Sequence, residues 1–373
     1  MAWAPRPCGQ RKHGRGRPCH KSQQTVPSVS DIGVIAIGRN EGQRLGRCLK
    51  SVVGRGQVVV YVDSNSTDGS VALARALGAQ IVELDMSLPF SAARARNAGF
   101  ERLLLLNPSA KYIQFVDGDC EVVSGWIERA SAELDSRPDA AVVCGRRRER
   151  APEASVFNRL ADLEWDTPIG EAPSCGGDAM MRVDAFRAAG GFDSSVAAGE
   201  EPELCQRLRR SGWKILRINA EMTLHDSAML HFSQWWRRAI RSGYGAADVA
   251  CRFGNDGLFA GHVRSARVWA LGWPMAVVLG GLIVGTVAGA KWGVLTAGVL
   301  ALALPAQMLR IAWRSRHRTR GSADAAALGI LTMLAKWAAL SGELRYHRDR
   351  RSGRNTRLID YKTMSQPASE PAS

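Results

Sequence analysis

Residues 112–121 read YIQFVDGDCE, an apolar and β-prone run that ends abruptly in two aspartates separated by a glycine. Such a run is typical of a strand buried on both faces of a sheet, and open α/β sheets bind ligands beyond the carboxyl ends of their strands. Asp117 and Asp119 carry hard oxygen ligands that suit Mg²⁺ or Mn²⁺. A plain turn has the same composition, because Asp-Gly is common in turns. The neighbouring segments therefore decide between a metal site and a turn.

Two strand-and-loop units precede this run. Residues 32–37 and 58–62 are short apolar strands, each followed by a polar loop, and a third strand is predicted at 80–84. The β-α-β-α-β order with short loops predicts a parallel sheet with helices on both faces. Polar loops at two successive strand ends predict a nucleotide site, with these candidates: Asn40, Glu41, Asp63, Ser66 and Asp68. No glycine-rich dinucleotide fingerprint and no P-loop occurs, which disfavours those chemistries.

Two later segments offer basic and glycine-rich candidates. Arg94 and Arg96 lie on different faces of a predicted helix, so they are expected to serve different partners. One guanidinium near the helix start can clamp a phosphate oxygen, and the alternative is that both are solvated surface arginines. Gly177 and Asp178 follow a second glycine, and the two glycines indicate either close approach of the backbone to another group or a tight turn. The basic run 146–150, after a strand predicted at 140–145, is interpreted as a solvated edge.

Acidic residues and a histidine complete the candidates. Glu200 and Glu201 begin a helix, where the macrodipole alone favours negative charge. A carboxylate at that open end is also placed to act as a general base. His225 lies beside Asp226 shortly after a predicted strand, and it is either a structural histidine or a third metal ligand.

Taken in order, these segments resemble the inverting family 2 glycosyltransferases of the GT-A type. The resemblance covers residues 32 to about 245 and rests on these segments: 40–41, 63–70, 95–97, 117–119, 190–193 and 200–201. It implies a mostly parallel sheet flanked by helices, with Glu41 and Asp63 contacting the ribose and base of a nucleotide sugar. Asp117 would then contact the ribose or sugar, and Asp119 would hold Mg²⁺ or Mn²⁺, with His225 as a further ligand.

The same resemblance assigns the chemistry. Glu201 matches the family's catalytic carboxylate, which is usually Asp, and Glu200 is the alternative base. Gln234 and Arg237 match a Gln-x-x-Arg-Trp motif of processive members, but Arg238 stands in the place of the Trp, which argues against polymerisation. The reaction implied is one in-line displacement with inversion.

Charge and hydropathy predict a membrane protein. The formal net charge is +15, concentrated in residues 6–21, 310–320 and 345–357. Basic clusters beside apolar spans indicate an anionic membrane surface rather than nucleic acid. Residues 268–290 and 292–309 predict a hairpin of two spans, whose basic flanks place the catalytic domain in the cytoplasm at the inner membrane. The shorter apolar stretch 323–340 is expected to be an interfacial helix in preference to a third span.

The predicted organisation has five parts: a disordered basic arm at 1–30, a GT-A domain at 31–245, a linker or interfacial helix at 246–267, a membrane region at 268–342 and a basic cytoplasmic tail at 343–373. The expected partners are a nucleotide-sugar donor and a lipid-linked or glycan acceptor. The alternatives are a sugar nucleotidyltransferase and a non-catalytic basic scaffold. Eight cysteines without a CxxC pair indicate neither a zinc site nor a disulfide framework.

Overall fold

The computed structural model describes residues 31–254 and 257–353, so the predicted arm 1–30 and the last twenty residues of the tail lie outside the described residues. The strands are β1 Ile32–Gly38, β2 Val58–Asp63, β3 Gln80–Glu83, β4 Tyr112–Asp117, β5 Cys120–Val122, β6 Ala140–Glu149, β7 Gly170–Glu171, β8 Ala179–Arg182 and β9 Lys214–His225. They form one sheet in the order β3-β2-β1-β4-β8-β6-β9-β5, with β7 on β9.

Thirteen α-helices occur in the described part of the chain. They are α1 Gln43–Val52, α2 Ser70–Ala76, α3 Ala92–Leu106, α4 Trp126–Ser136, α5 Val156–Glu164, α6 Val183–Ala188, α7 Glu200–Arg210, α8 Phe232–Phe253, α9 Ala260–Arg267, α10 Trp273–Ala288, α11 Ala290–Ala301, α12 Ala303–Ser315 and α13 Ser322–Arg351. A π-helical turn at Val268–Gly272 makes α9 continuous with α10. The predicted boundary at residue 245 falls inside α8.

The parallel arrangement predicted for the first strands is confirmed. β1 pairs in parallel with β2 and β4, and β2 pairs in parallel with β3. Beyond β4 the sheet is mixed, because β8 runs antiparallel to both β4 and β6. The predicted parallel arrangement is therefore found among β1 to β4, and the rest of the sheet is mixed.

Helix α3 packs unusually close to the sheet. A Cβ on Gly99 would lie 2.5 Å from Ile35 and 2.9 Å from Val62, so only glycine permits this approach. Because α3 also carries Arg96 one turn earlier, this contact fixes how near that side chain lies to the strand ends.

Three segments are long and apolar enough to cross a membrane: Ala260–Ala288, Ala290–Ser315 and Ser322–Arg351. The first two contain the predicted hairpin. The third contains the stretch predicted to be interfacial, and it contacts the catalytic domain near both of its ends. Near its start Asp324 pairs with Arg159 of α5 at 3.0 Å, and near its end Tyr346 packs edge-on against Tyr244 of α8.

Candidate active site

Asp117 and Asp119 lie where the ends of β1 and β4 meet. The backbone N–H of Gly118 donates to the carbonyl of Ile37 at 2.7 Å. A Cβ on Gly118 would lie 3.1 Å from that same oxygen and 3.4 Å from Cγ of Glu41. Glycine between the two aspartates therefore lets the loop lie against β1 and keeps Glu41 beside it.

The predicted nucleotide loops interlock at the same edge. The N–H of Asn40 donates to Ser66 Oγ at 2.8 Å, and Asn40 Oδ1 accepts from the N–H of Thr67 at 2.7 Å. Asp63 is buried and accepts from Tyr61 Oη at 2.9 Å and from the N–H of Ser66 at 2.8 Å. In the second loop Asp68 accepts from the backbone and side chain of Ser70. All five predicted residues of these loops, Asn40, Glu41, Asp63, Ser66 and Asp68, thus belong to one continuous edge.

Arg96 links the first aspartate to the acidic helix. Its guanidinium is buried, 2.8 Å from Asp117 Oδ1 and 2.5 Å from Glu200 Oε1. A Cβ on Gly177 would lie 2.9 Å from Asp117 Oδ2, so the backbone of Gly177 lies close to this aspartate. Close backbone approach was one of the two interpretations of the glycine pair. Arg94 points elsewhere, because its guanidinium donates to the backbone carbonyls of residues 85, 88 and 89.

Asp178 is a buried partner of Asp117. It is fully buried, its Oδ1 accepts from the N–H of Asp117 at 3.0 Å, and its Oδ2 accepts from Thr223 Oγ1 at 2.8 Å. The guanidinium of Arg147 lies 2.8 Å from the same Oδ2 and 3.8 Å from Asp117. The prediction that run 146–150 is a solvated edge is therefore wrong for Arg147, because β6 continues to Glu149 and its irregular register with β9 turns Arg147 inward.

Asp119 and His225 face each other across the strand ends. Asp119 Oδ2 lies 3.3 Å from His225 Nε2, and the other ring nitrogen lies 3.7 Å from Glu149. Neighbouring ligands of an octahedral ion with bonds of about 2.1 Å lie about 3.0 Å apart, so this pair fits a divalent cation. Burial lowers the pKa of His225, but the adjacent Asp119 and Glu149 outweigh it and raise that pKa to about 9. Trp165 packs edge-on against the imidazole and shields it.

Glu201 lies in a different environment from Glu200. Its Oε1 accepts from the N–H of Cys175 at 2.7 Å and lies 3.1 Å from Cys175 Sγ and 3.0 Å from Cys205 Sγ. Burial raises the pKa of Glu201 above 4.5, although these hydrogen bonds oppose the shift. A carboxylate of raised pKa is a better proton acceptor than one held by an arginine, as Glu200 is.

The candidates on α8 have local partners. Gln234 Oε1 accepts from the N–H groups of Leu230 and His231, which caps the helix. Arg237 Nε donates to the carbonyl of Ser233 one turn earlier. The structure therefore does not bring Gln234 and Arg237 into the acidic cluster.

Two protein-family models match the chain. The family model described as glycosyl transferase family group 2 matches residues 112–337, which is more than half the chain. The model described as glycosyl transferase family 2 matches residues 34–188. The chain belongs to glycosyltransferase family 2. Its strand order, polar strand ends and acidic helix are thus the scaffold of a GT-A sugar transferase.

Relatives of this family 2 glycosyltransferase include the pre-mycofactocin glycosyltransferase of Mycobacterium tuberculosis, which is 27% identical over 62% of this chain and 50% of its own length. The succinoglycan biosynthesis protein ExoA of Rhizobium meliloti is 27% identical over 42% of this chain and 50% of its own. The chain spans about half the length of these curated relatives. A mannosyltransferase of Pyrobaculum calidifontis, solved with GDP-Man and Mn²⁺, superposes with a TM-score of 0.53 at 15% identity over 89% of this chain and 92% of that chain, which shows the fold.

Sequence reasoning did not find several residues around the site: Arg147, Glu149, Trp165, Cys175 and Cys205. Strand alternation was not a usable signal for Arg147 and Glu149, because the pairing of β6 with β9 shifts register between Cys144 and Arg146 and again between Arg146 and Arg147. Trp165 lies in a loop without periodicity, and the two cysteines are thirty positions apart, so their meeting depends on tertiary packing.

Replacing Arg147 with Met should destabilise this family 2 glycosyltransferase by ~3–5 kcal/mol, because it leaves the fully buried Asp178 without its cation. Chemical unfolding in detergent measures the loss. Arg148→Met is the matched control. The Arg148 side chain is 41% exposed, its pair with Glu221 is solvent-exposed, and its other partner Asp162 keeps Arg146 as a second cation, so the loss should be about 0–1 kcal/mol. Adding Asp178→Asn to Arg147→Met should recover part of the loss, and equal losses for both single arginine variants would contradict the buried pair.

Proposed function

We propose that this family 2 glycosyltransferase is a metal-dependent, inverting enzyme that transfers a sugar from a nucleoside-diphosphate sugar to a lipid-linked acceptor at the cytoplasmic face of the inner membrane. One observation carries the acceptor class. A cavity of about 580 Å³ is lined by Glu200 and Glu201 and by residues of helices α5, α8, α9 and α13. The candidate base thus lines a space to which α9 and α13, parts of two segments long and apolar enough to cross a membrane, also contribute.

The lining of this acceptor cavity suits an amphiphile. Its apolar part includes Trp235, Phe259, Val263, Ala266, Leu328 and Leu331. Its polar part includes Arg238, Arg241, His262 and Lys336, together with Glu343 and with Glu164, which pairs with Arg238 at 2.9 Å. A lipid with a phosphate head group matches both parts, because its tail buries apolar surface and its phosphate pairs with the arginine and lysine cations.

The helix contacts support a hairpin anchor with α13 at the membrane surface. Since α13 touches the catalytic domain near both ends, it stays beside that domain along its length. The segments Ala260–Ala288 and Ala290–Ser315 would then cross the membrane as a helical hairpin. Arginines precede and follow this pair, which supports an orientation with both flanks on the cytoplasmic side, where the donor would bind.

Asp119 and His225 are the residues that would hold the cation. Their facing oxygen and nitrogen suit Mn²⁺ or Mg²⁺, and the Pyrobaculum mannosyltransferase was solved with Mn²⁺. When bound, the ion would supply electrostatic stabilisation of the leaving diphosphate. GDP-mannose, the donor in that structure, is the first to test, and the succinoglycan relative supports an acceptor in polysaccharide assembly.

The protein's own residues perform the remaining steps. The acceptor oxygen attacks the anomeric carbon as the bond from that carbon to the diphosphate oxygen breaks, and Glu201 takes the acceptor proton. Arg96 holds Asp117 and Glu200 in place, so Asp117 meets the sugar from a fixed position. A single displacement of this kind inverts the anomeric centre.

An assay of the purified protein in nanodiscs tests this function. A panel of nucleotide sugars with Mn²⁺ or Mg²⁺ is offered with a polyprenyl-diphosphate-linked sugar, whose hydroxyl carries the proton that Glu201 would take, or with a water-soluble oligosaccharide. Release of nucleoside diphosphate is measured. We expect turnover with the lipid. In a parallel reaction with nucleoside triphosphates and sugar 1-phosphates, release of pyrophosphate would indicate the nucleotidyltransferase. The absence of turnover and of metal-dependent binding would indicate the scaffold.

A cavity-filling variant tests the acceptor site itself. Ala335→Trp places an indole in the acceptor cavity and should lower kcat/KM for the lipid at least tenfold while slow donor hydrolysis by water is unchanged. Ala326→Trp, on an exposed face of the same helix, is the matched control. Unchanged lipid transfer in Ala335→Trp would contradict the assignment of this cavity.

A further inference from the structure

Two cysteines converge on the carboxylate of Glu201. Cys175 Sγ and Cys205 Sγ lie 3.7 Å apart, and each lies within 3.1 Å of Glu201 Oε1. We propose that Cys175, Cys205 and Glu201 form a second metal site, which takes a thiophilic divalent cation such as Zn²⁺ and blocks the base. The inhibitory part of this proposal rests on the proposed role of Glu201, and the binding part does not.

The separation of the sulfur atoms fits tetrahedral zinc. With Zn–S bonds of about 2.3 Å, two thiolates of a tetrahedral site lie about 3.8 Å apart. A carboxylate oxygen bound at about 2.1 Å lies about 3.6 Å from each sulfur. The sulfurs are therefore in place, and the oxygen needs to withdraw by about half an ångström, which is within the range of a glutamate side-chain rotation.

The local structure holds these groups together. Glu201 and Cys205 are four residues apart on α7, so they share one face of that helix. Cys175 comes from the loop between β7 and β8, and its N–H fixes the loop to Glu201. Cys205 is buried whereas Cys175 is partly exposed, so a cation can enter past Cys175.

Ligand softness separates this site from the donor site. Thiolates select Zn²⁺ and similar cations, whereas the carboxylate of Asp119 suits Mn²⁺ and Mg²⁺. A cation bound to Glu201 Oε1 withdraws electron density from the carboxylate and so weakens it as a proton acceptor. Zinc bound at the two cysteines is therefore expected to inhibit transfer while Mg²⁺ in excess occupies the donor site.

A simpler role for the two cysteines is to donate S–H hydrogen bonds that orient Glu201. Under that role, serine at either position would change transfer by the same factor with and without zinc. Under the metal-site proposal, serine removes the sensitivity to zinc.

Cobalt is the spectroscopic probe. Metal-free full-length protein in detergent is titrated with Co²⁺, and the thiolate-to-cobalt charge-transfer band in the near ultraviolet is recorded. We expect the band in the wild type and its loss on addition of Zn²⁺. It should be lost in Cys175→Ser and in Cys205→Ser, and retained in Cys251→Ser, which alters an exposed thiol, and in Cys120→Ser, which removes the thiol beside Asp119.

Transfer is then measured in excess Mg²⁺ with and without Zn²⁺. We expect at least tenfold inhibition of the wild type and of Cys251→Ser, relief by a chelator, and less than twofold inhibition of Cys175→Ser and Cys205→Ser. Circular dichroism verifies that each variant is folded. The absence of a band that depends on Cys175 and Cys205 overturns the metal site. A band without inhibition supports the site and counts against Glu201 as the base, so the two failures are distinguishable.

Discussion

Glu201→Gln is expected to remove sugar transfer while leaving donor binding intact. The amide keeps the size of the side chain and can still accept from the N–H of Cys175, but it cannot take up the acceptor proton. General-base catalysis contributes about 10²–10⁴-fold, so kcat should fall within that range. Single-turnover transfer to the lipid and titration of the nucleotide sugar measure the two quantities separately.

The pH profile distinguishes the two adjacent carboxylates. Because burial raises the pKa of Glu201 above 4.5, its acidic form persists to higher pH than in an exposed glutamate. A base must be deprotonated, so kcat should fall as the pH decreases through this raised pKa. The acidic limb should therefore lie above the value of about 4.3 of an exposed glutamate, and Glu201→Gln should remove that limb.

Glu200→Gln is the comparison for Glu201→Gln. It removes the negative charge that pairs with Arg96 at 2.5 Å and should loosen Asp117, which raises the KM for the donor. The acidic limb should remain. If Glu200→Gln removed the limb and Glu201→Gln retained full transfer, the two roles would have to be exchanged.

The sequence was most informative where local pattern and function coincide. Asp117 and Asp119 follow an apolar strand directly, and parallel strands bring their carboxyl ends to one edge, so the neighbourhood of Asp63 and Glu41 was predictable. The register of β6 was not predictable, because its irregular pairing with β9 decides which arginine turns inward.

Helix geometry explains two further differences. Arg94 and Arg96 were expected to have different partners, and the packing of α3 at Gly99 determined that Arg96 is the one that reaches Asp117. Gln234 matches a motif by spacing alone, but its side chain satisfies two N–H groups at the start of α8. Sequence spacing alone does not show whether such a glutamine caps a helix or binds a substrate.

Asp119→Asn is expected to abolish metal-dependent donor binding. The amide oxygen carries no net charge, so the cation loses its anionic ligand beside His225, and the diphosphate loses the cation. Affinity for the nucleotide sugar in Mn²⁺ should fall at least ~100-fold, because loss of a partner behind a metal ligand already costs about 10–100-fold. Isothermal titration with and without Mn²⁺ measures this loss.

Two further variants show how the loss of metal-dependent binding in Asp119→Asn compares with the loss caused by changes nearby. Glu149→Gln leaves both ligands in place but removes the carboxylate 3.7 Å behind His225, so it should weaken metal binding by about 10–100-fold. Asp226→Asn changes the neighbouring carboxylate, which pairs with Arg47 at 2.6 Å, and should leave the metal dependence unchanged. Equal losses in Asp119→Asn and Asp226→Asn would show a general charge effect, whereas the order Asp119, Glu149, Asp226 follows from one ion held between Asp119 and His225.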